Sequence, residues 1–526
     1  MKKTGFHYDE YYSYYSSNVT AGLVPTDREW KTGESIRDEF RVLPGQRFRF
    51  SDVVRMQTYD VHPPVYYLLL HAVCSLTPGL FTKWSGLAIN LLFFVGSWCL
   101  IALLAAKISG KNRAAVLGSC LLYGFCPAII SGVMLVRMYM LLGFWILLAT
   151  WLHVKALETR ARGRRFYVPL MVTVYLGFLT HYYFAVYLFF LAAAMECYLL
   201  FEREEQKGWG QKWRDCVVYG AAVIGALLLA VLSYPACLGH IFRGYRGTEA
   251  MGAFFDLSNT LGRLRFFVGL LDEYAFGSCL PLFLLVLLLL LLTGAGLARR
   301  SGGKRMPMGR VLDRYRLFLV PAAAAAGYFL VVTKTALLAA EEANRYQIPI
   351  YGLVLLLAVC LLGFCAGRIR RQIGAKWSTA KEGADLALKA LAAFLILVTA
   401  AGEARGLAGG KVLFLYEEDA PNIAFAAENR AVPTIYWYNG NLAWMIWDDS
   451  LELMQYDEIY FADLADTSSI EDERIASADR VLVYAARSDS ADAALETVER
   501  AMGGEVVTEK IRELLYCDLY EMRTAR

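Results

Sequence analysis

Between Gly86 and Gly402 the chain is built from apolar blocks of about twenty residues, separated by short loops that are often basic. That length is what a helix needs to cross a hydrocarbon core. Inside lipid, a helix satisfies its own backbone N–H and C=O groups, so the pattern dictates a helical, membrane-embedded body. Ten segments read as spans, roughly residues 86–106, 114–135, 138–154, 167–181, 183–200, 217–235, 278–297, 317–338, 348–367 and 386–402. With 57% hydrophobic residues over 526 and a mean hydropathy of +0.39, the composition agrees.

Loop charge sets a topology. Lys107, Lys111 and Arg113 fill the first loop; Lys155, Arg160, Arg162, Arg164 and Arg165 fill a later one. Arg203, Lys207, Lys212 and Arg214 follow, then seven cations from Arg299 to Arg316, then Arg368, Arg370, Arg371, Lys376 and Lys381. The alternate loops are poor in cations. The positive-inside rule places the rich loops in the cytoplasm, and residues 136–137, 181–182, 236–277, 339–347 and everything after 402 outside. By the same parity Val65–Phe81 is not a full span but a helix lying in the outer interface, led in by Pro63-Pro64. Residues 1–64 are then external. Met1-Lys2-Lys3 looks like the start of a signal segment, yet no apolar run follows. An upstream spanning helix absent from this chain is the expectation that reconciles the two.

The net charge of +4 divides unevenly. From Val412 to Arg526 there are 24 acidic and 9 basic residues, a net of −15, which leaves +19 on the preceding 411. The cations lie in membrane loops rather than in a patch suited to nucleic acid, so no nucleic-acid partner is expected. Most of the eleven cysteines lie in apolar segments, and none has zinc spacing. From Lys411 short strands alternate with helices: strands at 412–416, 434–438, 458–462, 480–485 and 514–522, helices at 420–429, 440–454 and 491–502. This reads as a small external α/β domain with a predominantly parallel sheet. The organisation expected is an outer loop and interfacial helix over 1–85, a membrane domain over 86–402 and the external domain over 403–526.

Two polar signatures precede the helices: His7-Tyr8-Asp9-Glu10-Tyr11-Tyr12 and Asp60-Val61-His62-Pro63-Pro64-Val65-Tyr66-Tyr67. Asp9 and Glu10 stand among Tyr8, Tyr11, Tyr12, Tyr14 and Tyr15, as at a carbohydrate-stacking or membrane-interface site. The plain alternative is a solvated acidic loop. Isolated arginines mark outer helix ends: Arg137, beside Met138 and Tyr139, and Arg345, beside Tyr346. A charge near bilayer depth costs roughly 2.5–3.5 kcal/mol on insertion scales, so pairing or function normally retains it. Arg137 either snorkels to headgroups or binds phosphate. Arg345 either pairs with Glu341 or Glu342 or does the same. Together these are parts for one reaction. Nucleotide sugars are absent outside the cell, so a donor there is commonly a polyprenyl-phosphate sugar. Its phosphate leaves readily if cations hold it, while the acceptor hydroxyl needs a carboxylate base. One-step displacement inverts the anomeric centre and needs one essential carboxylate.

These residues resemble the GT-C membrane glycosyltransferases, most closely the family 39 type that includes protein O-mannosyltransferases and lipid A aminoarabinose transferases. The likeness covers about residues 5–370. It implies an all-α polytopic membrane domain followed by a small external domain, in the plasma membrane, with Asp9 as catalytic base and Glu10 in support. It also implies that Asp60 and His62 line the acceptor or lipid side, that Arg137 and Arg345 face the donor phosphate, and that Tyr66, Tyr139 and Tyr346 belong to the substrate-binding residues. His181 and Tyr182 either join this pocket or form an interfacial aromatic belt. No cofactor is implied; oxygen ligation of Mg²⁺ or Mn²⁺ by Asp9, Glu10 and Asp60 is the alternative. The partners are a polyprenyl-phosphate-linked sugar, an envelope glycan, lipid or protein acceptor, and membrane lipids. Two other readings compete: a lipid-linked-sugar flippase or other transporter, and a non-catalytic scaffold. Against transport, the marked charges cluster at one surface and no internal repeat is found. Asn18-Val19-Thr20 is a formal glycosylation sequon.

Overall fold

A computed structural model describes residues 2–18, 27–202, 208–300, 308–376 and 381–525. Val19 and Thr20 of the sequon, and the loop cations Arg203, Lys207, Lys304 and Arg305, lie outside the described residues. Packing divides the chain into two compact units. One is made of Met1–Met56, Tyr67–Gly86 and Phe414–Arg526, the other of Gln57–Tyr66 and Leu87–Leu413.

The larger unit is helical. Eight helices are long and apolar enough to cross a membrane: Lys83–Ile108, Tyr139–Thr159, Tyr183–Phe201, Trp209–Ser233, Leu280–Arg299, Arg310–Thr335, Ile348–Ile373 and Glu382–Ala408. This is an integral, multi-pass membrane protein. Two of the ten expected spans take another form among the described residues. The 114–135 stretch breaks into Arg113–Phe125 and Pro127–Met134, bent by 50°, because Pro127 lacks the N–H that would continue the first helix. Counted as one span, the pair brings the total to nine. The 167–181 stretch forms only Arg164–Phe178, 15 residues with Pro169 inside, short of a hydrocarbon core. Within their apolar stretches, 72% of the residues of Tyr139–Thr159 and of Ile348–Ile373 are buried, and these helices form the centre of the body, whereas Glu382–Ala408, with 11%, runs along its outside. Val65–Leu76 is a 12-residue apolar helix, too short to span.

The loops of this unit sort into two groups by contact. Cation-rich loops meet one another: Arg162 binds Glu202 at 2.8 Å and Asp215 at 3.4 Å, Arg160 binds Asp313 at 2.7 Å, and Arg316 Nε donates to Leu157 O at 2.9 Å. The cation-poor loops meet around the cavity described below.

The smaller unit carries a six-stranded sheet: β1 (Glu29–Thr32), β2 (Thr434–Tyr438), β3 (Glu458–Asp463), β4 (Arg480–Ala486), β5 (Val506–Glu513) and β6 (Cys517–Thr524), in the order β1-β3-β2-β4-β6-β5. Alternate inward residues, among them Trp437, Val481, Val483 and Met522, pack with Ile475, Val498 and Met502 from flanking helices into an apolar core. The expected predominance of parallel pairing is corrected: only β2 with β3 and β2 with β4 are parallel. The strand expected at 514–522 is β6, and the unexpected strand β5 before it forms an antiparallel hairpin with it, while β1 closes the other edge antiparallel to β3. The strand expected at 412–416 does not form. Phe414 and Tyr416 adopt positive φ (66° and 50°), and the carbonyls of Leu415 and Tyr416 accept from the N–H groups of Thr4 and Gly5.

Candidate functional site

Asp9 and Glu10 open the helix Tyr8–Asn18, where its orphan N–H groups favour negative charge. The structure gives the two acids different surroundings. Glu10 Oε2 accepts from Lys3 Nζ at 2.9 Å and from the His7 N–H at 2.8 Å, and both members of the ion pair are fully buried. Lys3 also donates to Phe414 O at 2.8 Å; burial drives its ammonium below the ordinary pKa against the pull of Glu10. In sequence Lys3 looks like part of a leader; in the fold it is a core cation. The side chain of Asp9 is 19% exposed. The Asp9 N–H donates to His7 Nδ1 at 3.0 Å, so that nitrogen carries a lone pair and no proton. The neighbouring tyrosines engage in packing: Tyr8 on Trp444 (5.7 Å between rings), Tyr12 and Tyr15 on Trp447 (4.7 and 5.0 Å), Tyr11 on Phe40 (5.3 Å) and Tyr14 on Phe81 (5.0 Å).

The helical unit gathers most of the other marked residues. Asp60 Oδ2 lies 3.1 Å from His62 Nδ1, and His62 Nε2 lies 3.3 Å from an Arg137 Nη. Since a guanidinium only donates, Nε2 must accept, and the His62 proton sits on Nδ1 facing Asp60. Burial pushes the Asp60 carboxyl up, but His62 and Arg137 outweigh it and hold the group below its ordinary value. Arg137 is itself buried. Its turn follows Pro127–Met134 and is held by Asn90, whose Nδ2 donates to Val133 O (3.1 Å) and Leu135 O (2.6 Å). Loop 57–64 is tied in by the Val65 N–H donating to Leu179 O at 3.0 Å.

His181 lies with its ring 6.2 Å from that of His62 and 5.6 Å from that of Tyr139. Burial, then His62 and Arg137, keep it neutral far below its ordinary pKa. Its Nδ1 accepts from the Tyr183 N–H at 3.1 Å, which leaves Nε2–H as a donor. Tyr346 packs edge-on to Tyr139 at 5.8 Å. Arg345 is buried in the short 3-10 turn Glu342–Tyr346, its guanidinium 5.3 Å from the Tyr346 ring centre. That turn is pinned by Tyr328 Oη to Tyr346 O (2.9 Å) and Tyr351 Oη to Asn344 Oδ1 (2.6 Å). Glu341, an expected partner of Arg345, accepts from Tyr274 Oη. Tyr66 is fully buried at the start of Val65–Leu76.

His62, His181, Tyr182 and Tyr346 face a cavity of about 400 Å³. Its remaining wall comes from residues that sequence reasoning passed over, chiefly Tyr183, His240, Arg246 and Thr335. Tyr182 Oη lies 2.8 Å from His240 Nδ1, and His240 Nε2 lies 3.4 Å from Thr58 O. The available signal was rarity: the chain has six histidines, and three of them line this one cavity. Among the described residues no three His, Cys, Asp or Glu side chains converge as metal ligands.

The structure is similar to that of ArnT from Cupriavidus metallidurans bound to undecaprenyl phosphate, with a TM-score of 0.49 and 12% identity over 91% of this chain and 94% of that one. The apo state of that protein gives 0.46 and 12% identity over 97% and 96%. The archaeal oligosaccharyltransferase AglB from Archaeoglobus fulgidus, in complex with an inhibitory peptide and a dolichol-phosphate, gives 0.38 and 12% over 91% and 65%. No protein-family model and no curated protein sequence matches the chain.

Proposed function

We propose that the chain is a membrane glycosyltransferase of the GT-C kind, which moves a sugar from a polyprenyl-phosphate donor to an acceptor hydroxyl at the outer face of the membrane. The observation that carries this reading is the contact chain that joins Asp60, His62 and Arg137 to His181, Tyr139 and Tyr346, of which His62, His181 and Tyr346 line one cavity. A buried guanidinium backed by an imidazole and a carboxylate, at the end of long apolar helices, suits a lipid-borne phosphate. Arg137 holds the phosphate oxygens, and His62 with Asp60 fixes the plane of its guanidinium. Asp9 takes the proton of the acceptor hydroxyl. The acceptor oxygen attacks the anomeric carbon on the face opposite the phosphate, the C–O bond to phosphate breaks, and the lipid phosphate leaves with the electron pair. The anomeric centre inverts. Glu10, paired with Lys3, positions the turn that carries Asp9.

The test is transfer from a panel of polyprenyl-phosphate sugars, using purified protein and membrane extract as acceptor source. Transfer that is lost in Asp9→Asn, with donor binding retained, supports the reading. A flippase or scaffold would keep its behaviour in that variant, and absence of transfer from every donor would sink the proposal.

A further inference from the structure

Residues 236–258 stand outside the eight spans yet expose much apolar surface. They form the helices Ala236–Phe242 and Tyr245–Phe255. Leu238, Phe242, Tyr245, Met251, Phe255 and Leu257 are between 47% and 79% exposed. On Tyr245–Phe255, helical spacing puts Tyr245, Met251 and Phe255 on one stripe with Thr248 and Gly252, and no charge lies on it. Arg246 and Glu249 occupy the other side and are ion-paired at 3.1 Å. Neither helix is long enough to span.

Three observations say what covers this surface. It continues, through Leu238, the exposed face Leu228, Leu229 and Leu232 of the spanning helix Trp209–Ser233. It sits at the level of the helix ends, since His240 meets Tyr182 at 2.8 Å and Lys334, at the end of Arg310–Thr335, bonds Asn259 Oδ1 and Thr260 Oγ1 at 3.0 Å. Formal charge from Ala236 to Ser258 is balanced, with Arg243 and Arg246 against Glu249 and Asp256, so apolar burial rather than attraction to anionic headgroups must supply the contact.

We propose that residues 236–258 form an interfacial lipid-binding element. It lies in the boundary between headgroups and acyl chains, with Phe242, Tyr245 and Phe255 turned into the bilayer. The inner side of the same element, through Arg246, Glu249, Ala250, Met251 and Phe254, walls the cavity, so that wall is anchored in lipid. The occupant is the bilayer itself, of any headgroup charge.

The experiment places the photocrosslinker p-benzoylphenylalanine at 242 or 255 in the full chain, in nanodiscs of zwitterionic lipid. Leu232 serves as the reference on a spanning helix and Glu249 as the reference on the charged side. Both phenylalanines are exposed, so replacement leaves the core intact. Lipid adducts at 242 and 255 should match those at 232 and exceed those at 249 by roughly five-fold or more. Adduct yields at 255 no higher than at 249, or crosslinks to polypeptide instead of lipid, would overturn the proposal. Dependence on added anionic lipid would overturn the burial argument.

Discussion

Lys3 and Arg137 are both buried cations, and their neighbours give them opposite roles. Lys3 is matched by Glu10 at 2.9 Å, and removing one partner leaves the other charge unpaired in the core. Glu10→Gln should therefore cost about 3–5 kcal/mol, read as a lower melting temperature, while Lys3→Met with Glu10→Leu together should cost less than the single change. Equal losses in both would show that the pair is not what matters. Arg137 faces an imidazole instead. Arg137→Lys should weaken binding of a polyprenyl phosphate by about 30-fold, the loss of roughly 2 kcal/mol expected for a charged hydrogen bond, measured by titration of purified protein. Titration adds a pH dependence to the smaller unit. Burial, with Asp448 and Glu418 near, lifts the Asp419 carboxyl to about 7, and burial lifts Glu39 to about 8. An acid with a raised folded pKa gives its full stability below the unfolded value, near 4, and loses it as pH climbs through the folded value. The melting temperature of this unit should fall between pH 5 and pH 8, and Asp419→Asn should reduce the drop. A flat profile in the parent chain would contradict the burial of these acids. Sequence marked Asp60, His62, Arg137 and His181 because acids, histidines and arginines beside apolar helices are expensive. It passed over His240 and Arg246 because their segment has no span and no motif to draw attention.

At the level of elements, apolar block length located the spans well and failed where proline intervened. Pro127 bends one stretch and Pro169 sits inside a short one, and block length alone registers neither. Helix contact depends on small residues that hydropathy ignores. A Cβ built on Gly327 would lie 2.2 Å from the ring of Phe190, so this glycine sets how closely Arg310–Thr335 approaches Tyr183–Phe201. Gly327→Ala should destabilise by about 1–3 kcal/mol, and Phe190→Leu in the same chain should recover part of it. If the double variant melts no higher than Gly327→Ala alone, the contact is not the cause. Strands at 434–438, 458–462 and 480–485 were legible because buried β-branched and aromatic runs leave little choice. The stretch 412–416 looks equally strand-like, but its carbonyls are taken by residues 4 and 5.

For the whole molecule, the decisive feature is β1. Residues 29–32 cross most of the chain to pair with β3, with Glu29 opposite Phe461 and Thr32 opposite Glu458. Without it β3 would present an open edge. A fragment of residues 411–526 should therefore associate in gel filtration, and a peptide of residues 27–40 should restore the monomer. A monomeric fragment alone would show that the edge needs no cover. The amino-acid sequence by itself determined that the chain is a helical membrane protein with an acidic α/β end, because apolar length and strand pattern are local properties that lipid and sheet geometry reward directly. Only the tertiary structure decided that the N-terminal segment completes a sheet hundreds of residues away, and that helix ends from five separate regions close on one cavity. Those outcomes depend on contacts between distant segments, and no local pattern of residues carries their energy.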